Sequence, residues 1–138
     1  MNRIFLDTNI LVDLIADRKP HSKFAVRVVE IAESKKLKLY TSSHAIATPY
    51  YLLKKYADEK QLREVLLDLS DFVQIISVSQ EIIRKSLKSS HKDFEDAIQI
   101  NAAYSIESMD CIVTRNPKDF KLSEIEIFTP EELVRKIQ

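Results

Sequence analysis

Short apolar runs that stop at polar, turn-forming clusters punctuate the chain, and between them apolar residues recur at helical spacing. Ile4-Phe5-Leu6 is continuously apolar and ends at Asp7-Thr8-Asn9, the pattern of a strand buried on both faces. Ile10 to Ala16 follows, with Ile10, Leu11, Leu14 and Ile15 on one side of a helix that Pro20 breaks. From His21 to Ser34, Phe24, Val28, Ile31 and Ala32 return at the helical period. Leu37-Lys38-Leu39-Tyr40 alternates and ends in Thr41-Ser42-Ser43, a second strand followed by N-cap chemistry.

Helices are then expected from about His44 to Tyr56 and from Glu59 to Ser70, with a third strand inside Phe72 to Val78. Ser79 caps a helix to about Ser89, and Asp93 opens another that reaches Ile106. Cys111-Ile112-Val113 and Ile125-Glu126-Ile127-Phe128 read as a fourth and a fifth strand. Thr129-Pro130-Glu131-Glu132 is a helix start, with Thr129 as N-cap, Pro130 at N1 and Glu132 at N3. Strands alternating with helices predict a three-layer α/β/α sandwich around a central, mainly parallel sheet of four to five strands. No repeat, low-complexity tract or linker divides the sequence, so residues 1–138 are expected to form a single domain.

Composition narrows the function classes. Hydrophobic residues make up 45% and charged residues 30% of the chain, as in ordinary soluble domains. No apolar run approaches the ~20 residues that would span a membrane. Met1-Asn2-Arg3-Ile4 lacks the apolar core of a signal peptide, and the lone Cys111 reads as a buried thiol without an internal partner. A cytoplasmic location is therefore expected. Lys+Arg and Asp+Glu balance at 21 each, so nucleic acid could be held only by a local basic patch. Arg18-Lys19, Lys54-Lys55, and Arg115 with Lys118 are the candidates, although each group taken alone reads better as solvated surface charge. The chain has no glycine at all. That absence excludes the P-loop, the dinucleotide fingerprint and the nucleophile elbow, all of which need it where backbone bends sharply or approaches phosphate.

Ligands of open α/β sheets bind beyond the carboxyl ends of the strands. Those ends carry Asp7-Thr8-Asn9, Thr41-Ser42-Ser43 and Thr114-Arg115-Asn116, and the helix start Asp93-Phe94-Glu95-Asp96 is expected at the same edge. Singly, Asp7 suits an Asx turn or an N-cap, and Asp93 and Asp96 suit the first turn of a helix. Together, Asp7 and Asp96 would repel each other unless a divalent cation joined them. Oxygen donors without paired Cys or His point to Mg²⁺ or Mn²⁺, and His21, His44 and His91 have no metal-ligand spacing. Such an ion could promote in-line displacement at a phosphodiester. Asn116 suits a ligand, an orienter of the ion's water, or simply the Asn116-Pro117 turn. Thr8, Asn9, Thr114 and Arg115 are candidates to line the site or the substrate.

Three segments in this order resemble the PIN domain family, and more narrowly the VapC-type toxins of bacterial toxin–antitoxin pairs. They are Phe5-Leu6-Asp7-Thr8-Asn9-Ile10-Leu11-Val12-Asp13, Asp93-Phe94-Glu95-Asp96-Ala97, and Ile112-Val113-Thr114-Arg115-Asn116-Pro117-Lys118-Asp119-Phe120. The resemblance implies Asp7 and Asp96 as the principal metal ligands and Asp93 as an additional acidic member. It implies that Asn116 stands where many relatives carry aspartate and that Thr114 lines the site. The implied activity is Mg²⁺- or Mn²⁺-dependent endoribonuclease cleavage of RNA, held in check by a small antitoxin, by a homodimer with no membrane association. The family's glutamate early in the helix after the second strand is replaced here by Thr48. Two neutral positions, Thr48 and Asn116, predict weaker cation binding and leave open an alternative: a catalytically weakened PIN-fold module that binds RNA or protein. Asp13 reads as a helix-surface or supporting residue. Tyr50, Tyr51, Leu53 and Tyr56 read as core or as a surface for a second subunit.

Overall fold

The computed structural model describes residues 1–138. Five strands, β1 (Arg3–Leu6), β2 (Lys38–Ser42), β3 (Val73–Ile76), β4 (Cys111–Val113) and β5 (Glu126–Phe128), form one sheet in the order β3-β2-β1-β4-β5. Every pairing is parallel; Ile4 lies opposite both Leu39 and Cys111, and Phe5 opposite both Tyr40 and Ile112. Seven helices cover the sheet: α1 (Thr8–Ala16), α2 (Ser22–Ser34), α3 (Ser43–Leu53), α4 (Glu59–Leu69), α5 (Gln80–Lys88), α6 (Phe94–Tyr104) and α7 (Pro130–Ile137).

Strand periodicity divides the core. Alternate residues of a strand face opposite sides, and on β1 Ile4 and Leu6 point to one face while Phe5 points to the other. Cys111 and Val113 join the first side, where they meet Val28 and Ile31 of α2 and Leu133 of α7. Ile112 joins Phe5 on the second side, against Ile82 of α5 and Ile98 of α6. The result is a three-layer α/β/α sandwich whose central strands have no solvent-facing side, which is why they read as unbroken apolar runs. No helix is long and apolar enough to cross a membrane.

Several boundaries differ from those expected. α1 starts two residues before Ile10, at Thr8, and ends at Ala16 as expected, where Asp17 takes the left-handed conformation and caps it. In a chain without glycine such turns fall to other residues, and Asp17, Lys36 and Ser108 all have positive φ. α3 ends at Leu53, so Tyr56 lies beyond it and is exposed. Phe72 sits outside β3, also exposed. After β4 the chain forms a short 3-10 helix, Pro117–Phe120, where a simple turn was expected.

α7 starts as its sequence dictates: the Thr129 hydroxyl accepts from the Glu132 amide, and the Glu132 carboxylate accepts from the Thr129 amide. The cap presents Leu133, Val134 and Ile137 to the core. Thr129→Ala should lower the unfolding free energy by about 1 kcal/mol, with the midpoint of urea denaturation falling at unchanged m-value.

Candidate active site

Sheet order determines where a ligand can sit. From β1 the chain winds to β2 and β3 on one side, then returns to β4 on the other side of β1. Loops leaving β1 and β4 therefore diverge and open a crevice at their carboxyl ends. Asp7 ends β1 and Thr114 ends β4, and the two strand ends are joined by the Asp7 amide donating to Val113 O at 3.0 Å.

Asp7 is 6% exposed. Its Oδ1 accepts from the Thr8 amide at 2.8 Å, and from Gln99 Nε2 at 3.2 Å. Its Oδ2 accepts from Thr114 Oγ1 at 2.8 Å. The Thr114 hydroxyl also accepts from Asn9 Nδ2 and the Asn116 amide, both at 3.2 Å, so all its capacity is used. Gln99 is buried and oriented from behind: its Oε1 accepts from the Ser42 hydroxyl, which leaves its amine to face Asp7 and Thr8. Ser42 in turn caps α3, and Thr41 donates to Leu6 O at 2.8 Å. The polar cluster ending β2 is thus structural scaffolding for the end of β1.

A cleft of about 270 Å³ opens above these groups. Asp7, Thr8, Asn9, Asp96 and Asn116 line it, and Thr48 faces it from α3. Asp93 does not line the cleft: its side chain caps α6 by accepting from the Asp96 amide at 3.1 Å. Arg115 is also outside, lining a separate cavity with Pro20, Phe24 and Pro130.

Three polar lining residues, Asp119, Gln99 and Glu95, had no role assigned from the sequence, and a fourth, Arg18, was only a basic-patch candidate. Asp119 comes from the 3-10 helix, whose three-residue turn sets it back over Asn116, with the Asp119 amide donating to Asn116 O at 3.0 Å. The Asn116-Pro117 helix start carried that signal. Gln99 follows Asp96 by three residues on α6, a polar side chain between buried Ile98 and Ile100. Glu95 pairs with His44 Nε2 at 3.5 Å. Arg18 is the only basic residue in the lining.

Asp13, one of the two options for which was a helix-surface position, is wholly buried. Its carboxylate lies 3.2 Å from Arg18 Nε and 2.7 Å from Arg115 Nε, as ion pairs whose angles fall short of hydrogen-bond geometry.

The acids are under electrostatic stress. Burial pushes the Asp7 carboxyl up from its ordinary value, opposed by its hydrogen bonds and raised further by the charge of Asp119. Asp96 is pushed up to about 7, first by burial and then by Asp93, Asp7, Asp119 and Glu95. None of the ion pairs in the structure involves Asp7, Asp96 or Asp119. No group of three Asp, Glu, His or Cys side chains is close enough to enclose a metal ion. The donor set instead fits a hard divalent ion that touches few carboxylates and retains much of its water.

Residues 3–118 match the PIN domain family. Ribonuclease VapC1 from Aquifex aeolicus is 29% identical over 140 residues, covering 97% of this chain and 94% of the relative. A toxin–antitoxin complex from Klebsiella pneumoniae contains a chain 28% identical, with a TM-score of 0.67 over 92% of this protein and 97% of that chain. VapBC2 from Rickettsia felis, solved with a DNA fragment from its promoter, superposes with a TM-score of 0.71 at 20% identity, covering 92% and 98%. The sheet order with acids at its switch point and a match over most of the sequence agree: this chain belongs to the PIN domain family.

Proposed function

We propose that the protein is a Mg²⁺- or Mn²⁺-dependent endoribonuclease, the toxin of a pair in which a small antitoxin restrains it. The observation that carries this reading is the convergence of Asp7, Asp96 and Asp119 on one cleft, none of them held in an ion pair. The ribonuclease and toxin–antitoxin relatives support the substrate class and the partner. A cytoplasmic, single-domain protein is consistent with the sequence. Exposed Tyr51, Leu52 and Tyr56 along α3 and beyond it support a homodimer.

Asp7 and Asp96 would hold the ion, with Asp119 and Asn116 lining the same cleft. When bound, such an ion neutralises charge building on a phosphodiester and makes water a stronger nucleophile. The chain's own residues do the rest. Gln99, Thr114 and the Thr8 amide hold the Asp7 carboxylate in one orientation, and the Asp93 cap fixes the turn of α6 that presents Asp96. Thr48 and Asn116, both uncharged, favour the second reading, a PIN-fold module that binds without cutting. Asp119 offsets that loss, because it returns a carboxylate to the lining.

Asp96→Asn and Asp7→Asn should each reduce Mn²⁺-dependent cleavage of single-stranded RNA at least about 100-fold, since several kcal/mol of charge stabilisation depends on the ion. Far-UV circular dichroism should stay unchanged. Full activity in either variant would remove that acid from the mechanism, and an inactive parent with no Mn²⁺-induced rise in Tm would establish the binding module instead.

The raised acid also fixes a pH dependence. Folded Asp96 releases its proton near 7, whereas the unfolded chain releases it near 3.8. Its contribution to stability is therefore complete below about pH 4 and declines as pH rises to about 7. Without divalent ions, Asp96→Asn should have a higher Tm than the parent at pH 8 and lose that advantage at pH 4. The pairwise difference cancels the titration of the three histidines. Millimolar Mn²⁺ should raise the Tm of the parent more at pH 8 than at pH 5.

A further inference from the structure

We propose that Arg18 is a phosphate-binding residue of the cleft, held in place by the buried carboxylate of Asp13. The inference rests on the nuclease reading above and deepens it by naming how the substrate backbone is held. An RNA phosphate entering this cleft meets Asp7, Glu95, Asp96 and Asp119, and the formal charge of the chain is zero, so no long-range field draws it in. Arg18 is the one cation in the lining. Lys54, Lys55 and Lys118 lie outside it.

The backbone is built to present this side chain. At Asp17 (φ 48°, ψ 51°) the chain turns back on itself, and the amides of Asp17 and Arg18 both donate to Asp13 O, the second at 3.2 Å. The Arg18 side chain doubles back along the same residue, its Nε 3.2 Å from Asp13 Oδ1. Backbone and side chain are thus anchored on one buried aspartate, whose side chain is 1% exposed. The Arg18 side chain is 49% exposed and lines the cleft.

Charge counting gives the same answer. Arg18 and Arg115 share a single carboxylate, so one positive charge is left over. Arg115 is 23% exposed and faces a different cavity, which leaves Arg18 to deliver that charge to the cleft. A guanidinium fixed through Nε still offers its two terminal amines, the planar pair of donors that suits phosphate oxygens. Because Asp13 already restrains the side chain, binding costs less rotamer entropy than for a free surface arginine.

The test uses a short fluorescein-labelled single-stranded RNA. Binding is measured by anisotropy in the Asp96→Asn background with Mn²⁺ across a salt series, and cleavage in the otherwise unaltered chain. Arg18→Gln should weaken binding several-fold and make the slope of log K against log[salt] shallower by about 0.7, the increment for one phosphate contact on a single strand. It should raise KM for cleavage by a similar factor with kcat changed less, because the contact is made before and during the reaction. Arg18→Lys should restore the slope while recovering only part of the affinity, since charge returns but the paired donors do not. Asp13 keeps Arg115 as its partner in both variants, so each should fold, and Tm reports this directly. A purely structural clamp at the end of α1 would lower Tm and leave the salt slope untouched, which overturns the inference. A parent that cuts RNA while Arg18→Gln shows unchanged slope and KM overturns it alone. A parent that neither binds nor cuts RNA overturns the nuclease reading and this inference together.

Discussion

Three donors from three parts of the chain close on the Asp7 carboxylate: the Thr8 amide at the start of α1, the Thr114 hydroxyl after β4, and the Gln99 side chain of α6. A carboxyl group this deeply buried favours its neutral form, and each donor pulls the balance back toward the anion. These bonds exist only if β1 and β4 are neighbours and α6 packs across the end of the sheet. The site is therefore a consequence of strand order, because the residues involved lie up to 107 positions apart. Ser42 extends the same network to β2 and α3 through Gln99, so six elements around the crevice share one polar assembly.

The cleft concentrates more negative charge than its single cation, Arg18, can offset, and that arrangement opposes folding. What tolerates it is the layered core beneath. Both faces of β1 and β4 are packed with aliphatic side chains, and fully buried residues of this kind each contribute roughly 1.5–3 kcal/mol. A few kcal/mol of repulsion at one edge is small against that background, and it is what the proposed divalent ion would relieve. Function and stability thus pull on the same aspartates in opposite directions.

Much of this was readable before any coordinates. The continuous apolar runs marked strands buried on both sides, and Ser42, Ser79, Asp93 and Thr129 were legible as helix starts because each accepts from an amide two or three residues on. The strand-end rule brought Asp7 and Asp96 to one edge. What local pattern could not reveal were pairings made across the chain. Asp13 sits within an otherwise apolar helix, and nothing near it announces that Arg115, 102 residues away, completes its partner set. Asp93 shows the converse limit: an acidic residue beside a site can be a cap, and only the direction of its carboxylate separates the two roles. Asp119 escaped because the Asn116-Pro117 turn continues as a 3-10 helix that sets its side chain over the cleft.

The absence of glycine reaches further than the motifs it rules out. Asp17, Lys36 and Ser108 make left-handed turns with a Cβ in place, which costs the folded chain some local strain. In exchange the denatured chain samples fewer backbone conformations than one with glycines at those points, so less disorder is released when the fold opens. Beside the crevice, at Asp17, the same stiffness limits how far the loop bearing Arg18 can wander. A pocket walled this way meets its ligand with little left to rearrange.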